Sequence, residues 1–408
     1  MTTKNNSIYK DSNRIKHFLS SLILFGLAYG LLKGVQDNYL AEMVKINEFE
    51  RGIVEFFREL PGLLLIFILA IMYRFSESKV YKLGLAIALV GSLGLFLFGT
   101  GKFIVVFFMV IFSLGEHITM PVKSTISMNL AKEGKSGASL GVMNSLSEAG
   151  HIGGFLVVSI LFYLLPRFGF EKNSLANFKI VFFIATLLLV AATLVAMAMK
   201  DQGVTVQRSR LYFNKKFIKF YGLEMFYGAR KQVFITFAPY VLILHYGANT
   251  AIISLLLAVS AIFGMLFAPL IGRLIDYMGY KFVMVTDTLI LVIVCIFYGF
   301  SHHFFAPNVA FIVVCVNYVL DAIISLASIA TSVYVQDLTP DTEEIASTLT
   351  TGVSVNHFIS VIIAFLGGYI WKKTGIELLF TLSAILGIIN SIFAASIKVN
   401  RDGTLQEG

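Results

Sequence analysis

Lys33, Glu116, Glu148, Lys231 and Asp321 each sit inside a long apolar stretch of this sequence. An ion in a bilayer core costs several kcal/mol, from about 2.5 upward. Such a group must face a partner, a packed interior or a water-filled chamber. Two kinds of chemistry follow from the residue types. The ammonium groups of Lys33 and Lys231 can hold an anionic part of a solute as point charges. The carboxylates of Glu116, Asp321 and Glu148 can take up and release a proton, because burial favours the neutral acid and a nearby lysine favours the ion. His151, three residues after Glu148, is placed to share that duty. Arg230 either assists Lys231 or pairs with Glu224. Tyr29, Tyr227 and Asn356 complete the candidate binding set, with His357 beside Asn356. The competing reading makes these charges fixed salt bridges, with the solute touching only polar and aromatic groups.

The elements that position these groups are apolar helices. The chain has 408 residues, 57% hydrophobic and 14% charged, with a mean hydropathy of +0.82. A soluble domain carries about 25% charged residues, so most of this surface must be solvated by lipid. A helix crosses the hydrocarbon in roughly 20 residues. Suitable stretches fall at 18–40, 53–73, 81–99, 103–130, 138–164 and 178–199, then at 220–245, 250–272, 282–300, 309–336, 345–371 and 376–397. These runs are long and continuous, unlike the ten-residue alternations of a barrel. The expected fold is all-α and integral to the membrane, with twelve spans. The first stretch is expected to be a retained helix and not a cleaved leader.

Of the 32 Lys/Arg, 19 fall in segments that share a side with the N-terminus. That bias places both termini in the cytoplasm of a cell membrane. Loop residues Asp337, Asp341, Glu343 and Glu344 lie on the same side and count little. The distribution of the +8 net charge over loops argues against a nucleic-acid partner. Abundant Lys, Asn and Ile suggest a bacterial source. Cys295 and Cys315 lie in apolar spans and offer no metal spacing.

Internal matches divide the chain. Tyr29-Gly30 with Lys33 in span 1 corresponds to Tyr227-Gly228 with Lys231 in span 7, at an offset of 198. Arg74, Glu77, Tyr81 and Lys82 correspond to Arg273, Asp276, Tyr280 and Lys281 at an offset of 199. Glu116 corresponds to Asp321, and Ala138-Ser139 to Ala346-Ser347, which sets Glu148 opposite Asn356. Four matches in the same order predict two six-helix bundles, 1–199 and 220–408, related by a pseudo-twofold axis, with 200–219 as a cytoplasmic linker.

At this point the chain resembles the major facilitator superfamily. The stretch from Gly272 to Lys281 looks like that family's cytoplasmic loop motif, matching at Gly272, Asp276, Gly279 and Lys281. The usual basic residues are replaced by Tyr277 and Tyr280. The copy after span 2 keeps Arg74, Glu77 and Lys82 and lacks both glycines. In the family this loop steadies one conformation of the transport cycle. Span 5, with Gly141, Gly150, Gly153 and Gly154, weakly resembles a motif of drug/proton antiporters but lacks its proline. Close helix approach is the simpler reading of those glycines.

The resemblance implies that spans 1, 4, 7 and 10 line a central cavity. Helix rise puts Lys231, Glu116, Asp321 and Glu148 within roughly 5 Å of the midplane and Lys33 roughly 6 Å to the outside. The expected function is secondary active, proton-coupled transport of a small polar organic anion or zwitterion by alternating access. Efflux of amphipathic drugs or lipids is the alternative, and a membrane-embedded sensor without transport is a further one. No nucleophile–base pair, phosphate loop or histidine box points to an enzyme. No cofactor or metal is expected, and a monomer is. His302 and His303 are chain neighbours, which rarely converge on one metal. Asp37 is expected to pair with Lys33, Arg58 with Glu55 or Glu59, and Lys123 to snorkel. Asp287 reads as structural, in a span the resemblance puts at the periphery. Pro61, Pro121, Pro239 and Pro269 are expected to kink spans 2, 4, 7 and 8.

Overall fold

The computed structural model describes residues 8–10, 12–72, 74–172, 174–201 and 212–398. Much of the expected linker, 202–211, lies outside the described residues, as do Lys4 and Arg401 of the tails. The chain runs through α1 (Ser12–Asn38), α2 (Glu48–Leu63), α3 (Leu65–Ile71), α4 (Glu77–Phe98), α5 (Lys102–Leu130), α6 (Ser136–Leu164) and α7 (Leu175–Met197). It continues through α8 (Ile218–Leu244), α9 (Thr250–Met278), α10 (Tyr280–Phe304), α11 (Pro307–Ile324), α12 (Ile329–Leu338), α13 (Thr342–Thr374) and α14 (Ile376–Ala395).

Among the described residues these helices read as twelve spans. α2 and α3 make the second span and are separated by Leu64 alone; Pro61 stands inside the last turn of α2. α11 and α12 are one span joined by a 3-10 turn, Ser325–Ser328. Pro121, Pro239 and Pro269 stand inside helices that continue through them, so only Pro61 adjoins an interruption. Ten spans are long and apolar enough to cross a bilayer. The other two carry charge in their interior: α2 has Arg51, Glu55, Arg58 and Glu59, and α8 has Glu224, Arg230 and Lys231. Large apolar side chains lie exposed along the helices, among them Phe103 at 81% and Ile71 at 80%. Lipid is the solvent such a surface requires.

Local signals explain the helix ends. Asn47 and Glu50 form a reciprocal capping box at the start of α2, with bonds of 2.9 and 3.0 Å. Ser76 and Asp341 cap α4 and α13 by accepting from Lys79 N and Glu343 N. Gly279, between α9 and α10, has φ 82° and ψ 150°, a region essentially reserved for glycine.

By contacts the chain forms two compact units. Unit 1 comprises Met1–Lys45, Leu64–Arg208 and Thr250–Ala258; unit 2 comprises Ile46–Leu63, Ser209–Asn249 and Val259–Gly408. Helix α2 therefore packs with the C-terminal helices, and the first turns of α9 with the N-terminal ones.

In unit 1, α1 crosses α6 on glycines. A Cβ at Gly30 would lie 2.3 Å from His151 O, and one at Gly154 2.5 Å from Leu27 O. Gly26 meets Gly150 on the same seam, whereas Gly141 has nothing near it. The span 5 glycines at 150 and 154 thus serve close helix approach. In unit 2, Gly52 of α2 meets Ala364 and Gly368 of α13 in the same manner. The core of unit 2 gathers Phe217, Phe220, Tyr227, Met284 and Val335.

One fastening recurs in both units. Lys82 Nζ donates to Met199 O across 2.7 Å, and Lys281 Nζ donates to Ile397 O across 2.7 Å. Each lysine begins a helix and binds carbonyls past the end of another, where helix dipoles favour a cation.

Candidate transport site

In unit 2 the charged side chains collect around α8. Arg230 is buried, and its Nη1 donates to Asp287 Oδ2 at 2.7 Å, both side chains being 4% exposed. Tyr227 Oη donates to the same oxygen at 3.4 Å. The Arg230 guanidinium stands 5.6 Å from the centre of the Tyr227 ring. Asp321 also feels the Arg230 charge. Its Oδ1 is buried with no hydrogen-bond partner among the described residues. The guanidinium thus pairs with Asp287 and lies within electrostatic reach of Asp321.

The alternative pairing of Arg230 with Glu224 is not found. Glu224 instead accepts from Thr331 Oγ1 at 2.8 Å and from Asn356 Nδ2 at 3.4 Å, and it senses Lys231 seven residues on. Seven residues are two helical turns, which puts Glu224 and Lys231 on one face of α8. Lys231 itself is exposed. Asp287, read from the sequence as structural, therefore stands inside the charged cluster as the direct partner of Arg230.

In unit 1, Lys33 Nζ lies 3.9 Å from Asp37 Oδ2, one turn apart. Asp37 is 1% exposed and Lys33 15%. Lys123 interacts with both Glu116 and Glu148, so it has carboxylates to meet within the unit and need not reach for the membrane surface. Glu148 Oε1 lies 3.5 Å from His151 Nδ1. The Tyr29 ring packs 4.6 Å from His151 and 6.4 Å from Phe112, between centroids. Tyr29 and Tyr227 thus each stand beside an ionisable side chain, His151 and Arg230.

A second charged network belongs to α2. Glu55 is fully buried between Arg51 Nη1 at 2.8 Å and Arg58 Nη2 at 2.6 Å. Arg58 reaches Glu59 as well at 2.6 Å, and Glu59 Oε2 lies 2.8 Å from His357 Nδ1. Arg58 thus takes both of its expected partners. His357 points at α2, one residue after Asn356 points at α8.

In the loop motif, Asp276 is exposed, Gly279 makes the glycine-only turn, Lys281 makes the carbonyl bond described above, and Gly272 has open space beside it.

Sequence reasoning does not select Asp287, Thr331 or the Glu224–Asn356 contact as site features. The spacing of Glu224 and Lys231 is the available signal for the last. Nothing local marks Asp287 as Arg230's partner, since 57 residues separate them.

Among the described residues, helices of spanning length with buried charge in each unit define a polytopic helical membrane protein. Residues 220–406 match the family model of the Major Facilitator Superfamily. Solved structures share the fold. The nucleoside transporter NupG matches with TM-score 0.73 at 16% identity, covering 96% of this chain and 100% of that one. A D-xylose-proton symporter matches with TM-score 0.74 at 14% identity, covering 96% and 99%. A POT family transporter in complex with 5-aminolevulinic acid matches with TM-score 0.74 at 14% identity, covering 93% and 95%. No curated protein sequence matches the chain. The match over 220–406 and these likenesses show that the chain shares the fold of major facilitator transporters, with no subfamily specified.

Proposed function

We propose that this protein is a proton-coupled secondary carrier for a small polar organic anion or zwitterion, working by alternating access. The observation that carries the reading is a shared charge imbalance. Leaving aside the first five residues of each helix, which hold Arg14, Lys16, Lys102, Lys219 and Lys281, α1, α5 and α6 carry Lys33 and Lys123 against Asp37, Glu116 and Glu148. Helices α8, α10 and α11 carry Arg230 and Lys231 against Glu224, Asp287 and Asp321. Each set has one more carboxylate than cation. In a low-dielectric interior that imbalance is relieved by binding a proton. Asp321 is the favoured acceptor, since Arg230 is already bound to Asp287. Glu116 and Glu148, sharing Lys123, are the counterparts in the first repeat.

Lys33 and Lys231 are assigned to the anionic group of the solute, with Tyr29, Tyr227, Arg230 and Asn356 around it. Gly272, Asp276, Gly279 and Lys281 are assigned to a conformational loop on the cytoplasmic side. The functional repeats are 1–199 and 220–408, joined by 200–219, with both termini cytoplasmic in the membrane of a bacterial cell and the monomer as the working form.

Purified protein in proteoliposomes tests this reading. A proton gradient should drive accumulation of a solute drawn from anionic and zwitterionic metabolites. Candidates are chosen by thermal shift on the wild type, with Lys33→Gln and Lys231→Gln as controls. Accumulation that ignores the proton gradient, or thermal shifts confined to neutral amphipathic compounds, would overturn the proposal.

A further inference from the structure

The two adjacent histidines do converge. His302 and His303 form the last turn of α10, and Glu377 lies in the first turn of α14. His302 Nε2 stands 3.1 Å from Glu377 Oε1, and His303 Nε2 stands 3.3 Å from the same oxygen. The two imidazole centroids are 4.0 Å apart. All three donor atoms lie within 4.8 Å of one another. Neighbours on a helix normally diverge by about 100°. Here a third group on another helix sits between them, and the long reach of each Nε2 closes the difference.

We propose that His302, His303 and Glu377 bind a divalent transition-metal ion, with Zn²⁺ the best match and water completing the coordination. The spacing carries the argument. Bonds of about 2.0–2.1 Å at tetrahedral angles set neighbouring donors roughly 3.3–3.4 Å apart. The two imidazole-to-carboxylate distances already match that edge. Two imidazoles and one carboxylate form a donor set that favours Zn²⁺ over Ca²⁺ or Mg²⁺, which take oxygen ligands.

The carboxylate is held for this task. Gly375 has φ 98° and ψ 174°, and a Cβ there would lie 2.5 Å from Glu377 Oε2. A glycine at this position thus makes room for one oxygen while the other faces both rings. The site is open to water, with side chains 30%, 56% and 34% exposed for His302, His303 and Glu377. It also lies at the negative end of the α10 dipole, which favours a cation. A bound ion would tie α10 to α14 within unit 2. This site is independent of the solute and of proton coupling.

Tag-free protein in detergent is titrated with Co²⁺, whose visible absorption distinguishes tetrahedral from octahedral ligation, and then with Zn²⁺ in competition. One tetrahedral-type Co²⁺ per chain, displaced by Zn²⁺, is expected. Glu377→Gln and the double variant His302→Gln/His303→Gln should each weaken binding at least about tenfold, and His17→Gln should leave it unchanged. Wild-type protein that binds no Co²⁺ in this form overturns the assignment without reference to any variant. Unchanged affinity in folded Glu377→Gln and in the double histidine variant overturns it as well.

Discussion

Arg230 and Asp287 join α8 to α10 through a buried 2.7 Å ion pair, and Asp321 lies within the electrostatic reach of the same guanidinium. Removing the cation strands two carboxylates. Breaking a buried pair by deleting one partner costs about 3–5 kcal/mol, whereas replacing both by apolar groups is close to neutral. Arg230→Met should therefore lower the thermal unfolding midpoint sharply in detergent, and adding Asp287→Leu should restore part of it, since Asp321 still lacks the cation. A mild effect of Arg230→Met alone would remove this pair from the framework of unit 2.

Lys231 is exposed and Glu224, its electrostatic neighbour, has two other hydrogen-bond donors. Lys231→Gln should abolish solute uptake while the amount of monodisperse protein stays normal. Loss of folded protein in place of loss of uptake would recast Lys231 as a structural cation.

Proton coupling is expected to rest on the surplus carboxylate of each repeat. Asp321→Asn or Glu116→Gln should make uptake in proteoliposomes insensitive to a pH gradient while solute exchange continues. If both variants still concentrate solute with the gradient, neither acid carries the proton.

The glycine seam between α1 and α6 has no room for a side chain. Gly30→Leu and Gly154→Leu should each sharply reduce membrane-inserted, folded protein, since the obstructing atoms are backbone. Gly141→Leu, where the space is open, should be tolerated. Fluorescence-detected size exclusion separates the cases.

The lysine-to-carbonyl fastenings are modest contacts. Lys82→Met and Lys281→Met should each cost about 0.3–1 kcal/mol, and the double variant about their sum, because the two share no partner. A strongly non-additive result would mean that the two junctions respond to one another.

Length and apolarity in the sequence mark ten spans outright. Spans 2 and 7 are harder because their charges dilute the apolar signal. Both still read as stretches of spanning length, 53–73 and 220–245, and span 7 also through the Tyr-Gly match at Tyr227-Gly228. The pairing of Lys33 with Asp37 is readable because one helical turn separates them. The partner of Arg230 is not, since Asp287 reaches it only through the packing of α10 on α8. The same holds for Glu377, which brings His302 and His303 together from 75 and 74 residues away. Local rules carry pairs on one helix. Pairs between helices depend on which faces meet, and a single sequence does not record that choice.

The membership of α2 in unit 2 has a consequence for biosynthesis. Glu59 and its partner His357 are separated by 298 residues. At about 5–20 residues per second, a ribosome needs roughly 15–60 s to make the intervening chain. Throughout that interval Arg51, Glu55, Arg58 and Glu59 occupy a nascent span whose α13 seat has not been synthesised. The pairs of Glu55 with Arg51 and Arg58, and of Arg58 with Glu59, lie within α2 and can form at once, whereas the Glu59–His357 contact and the Gly52 seam close only when α13 has emerged.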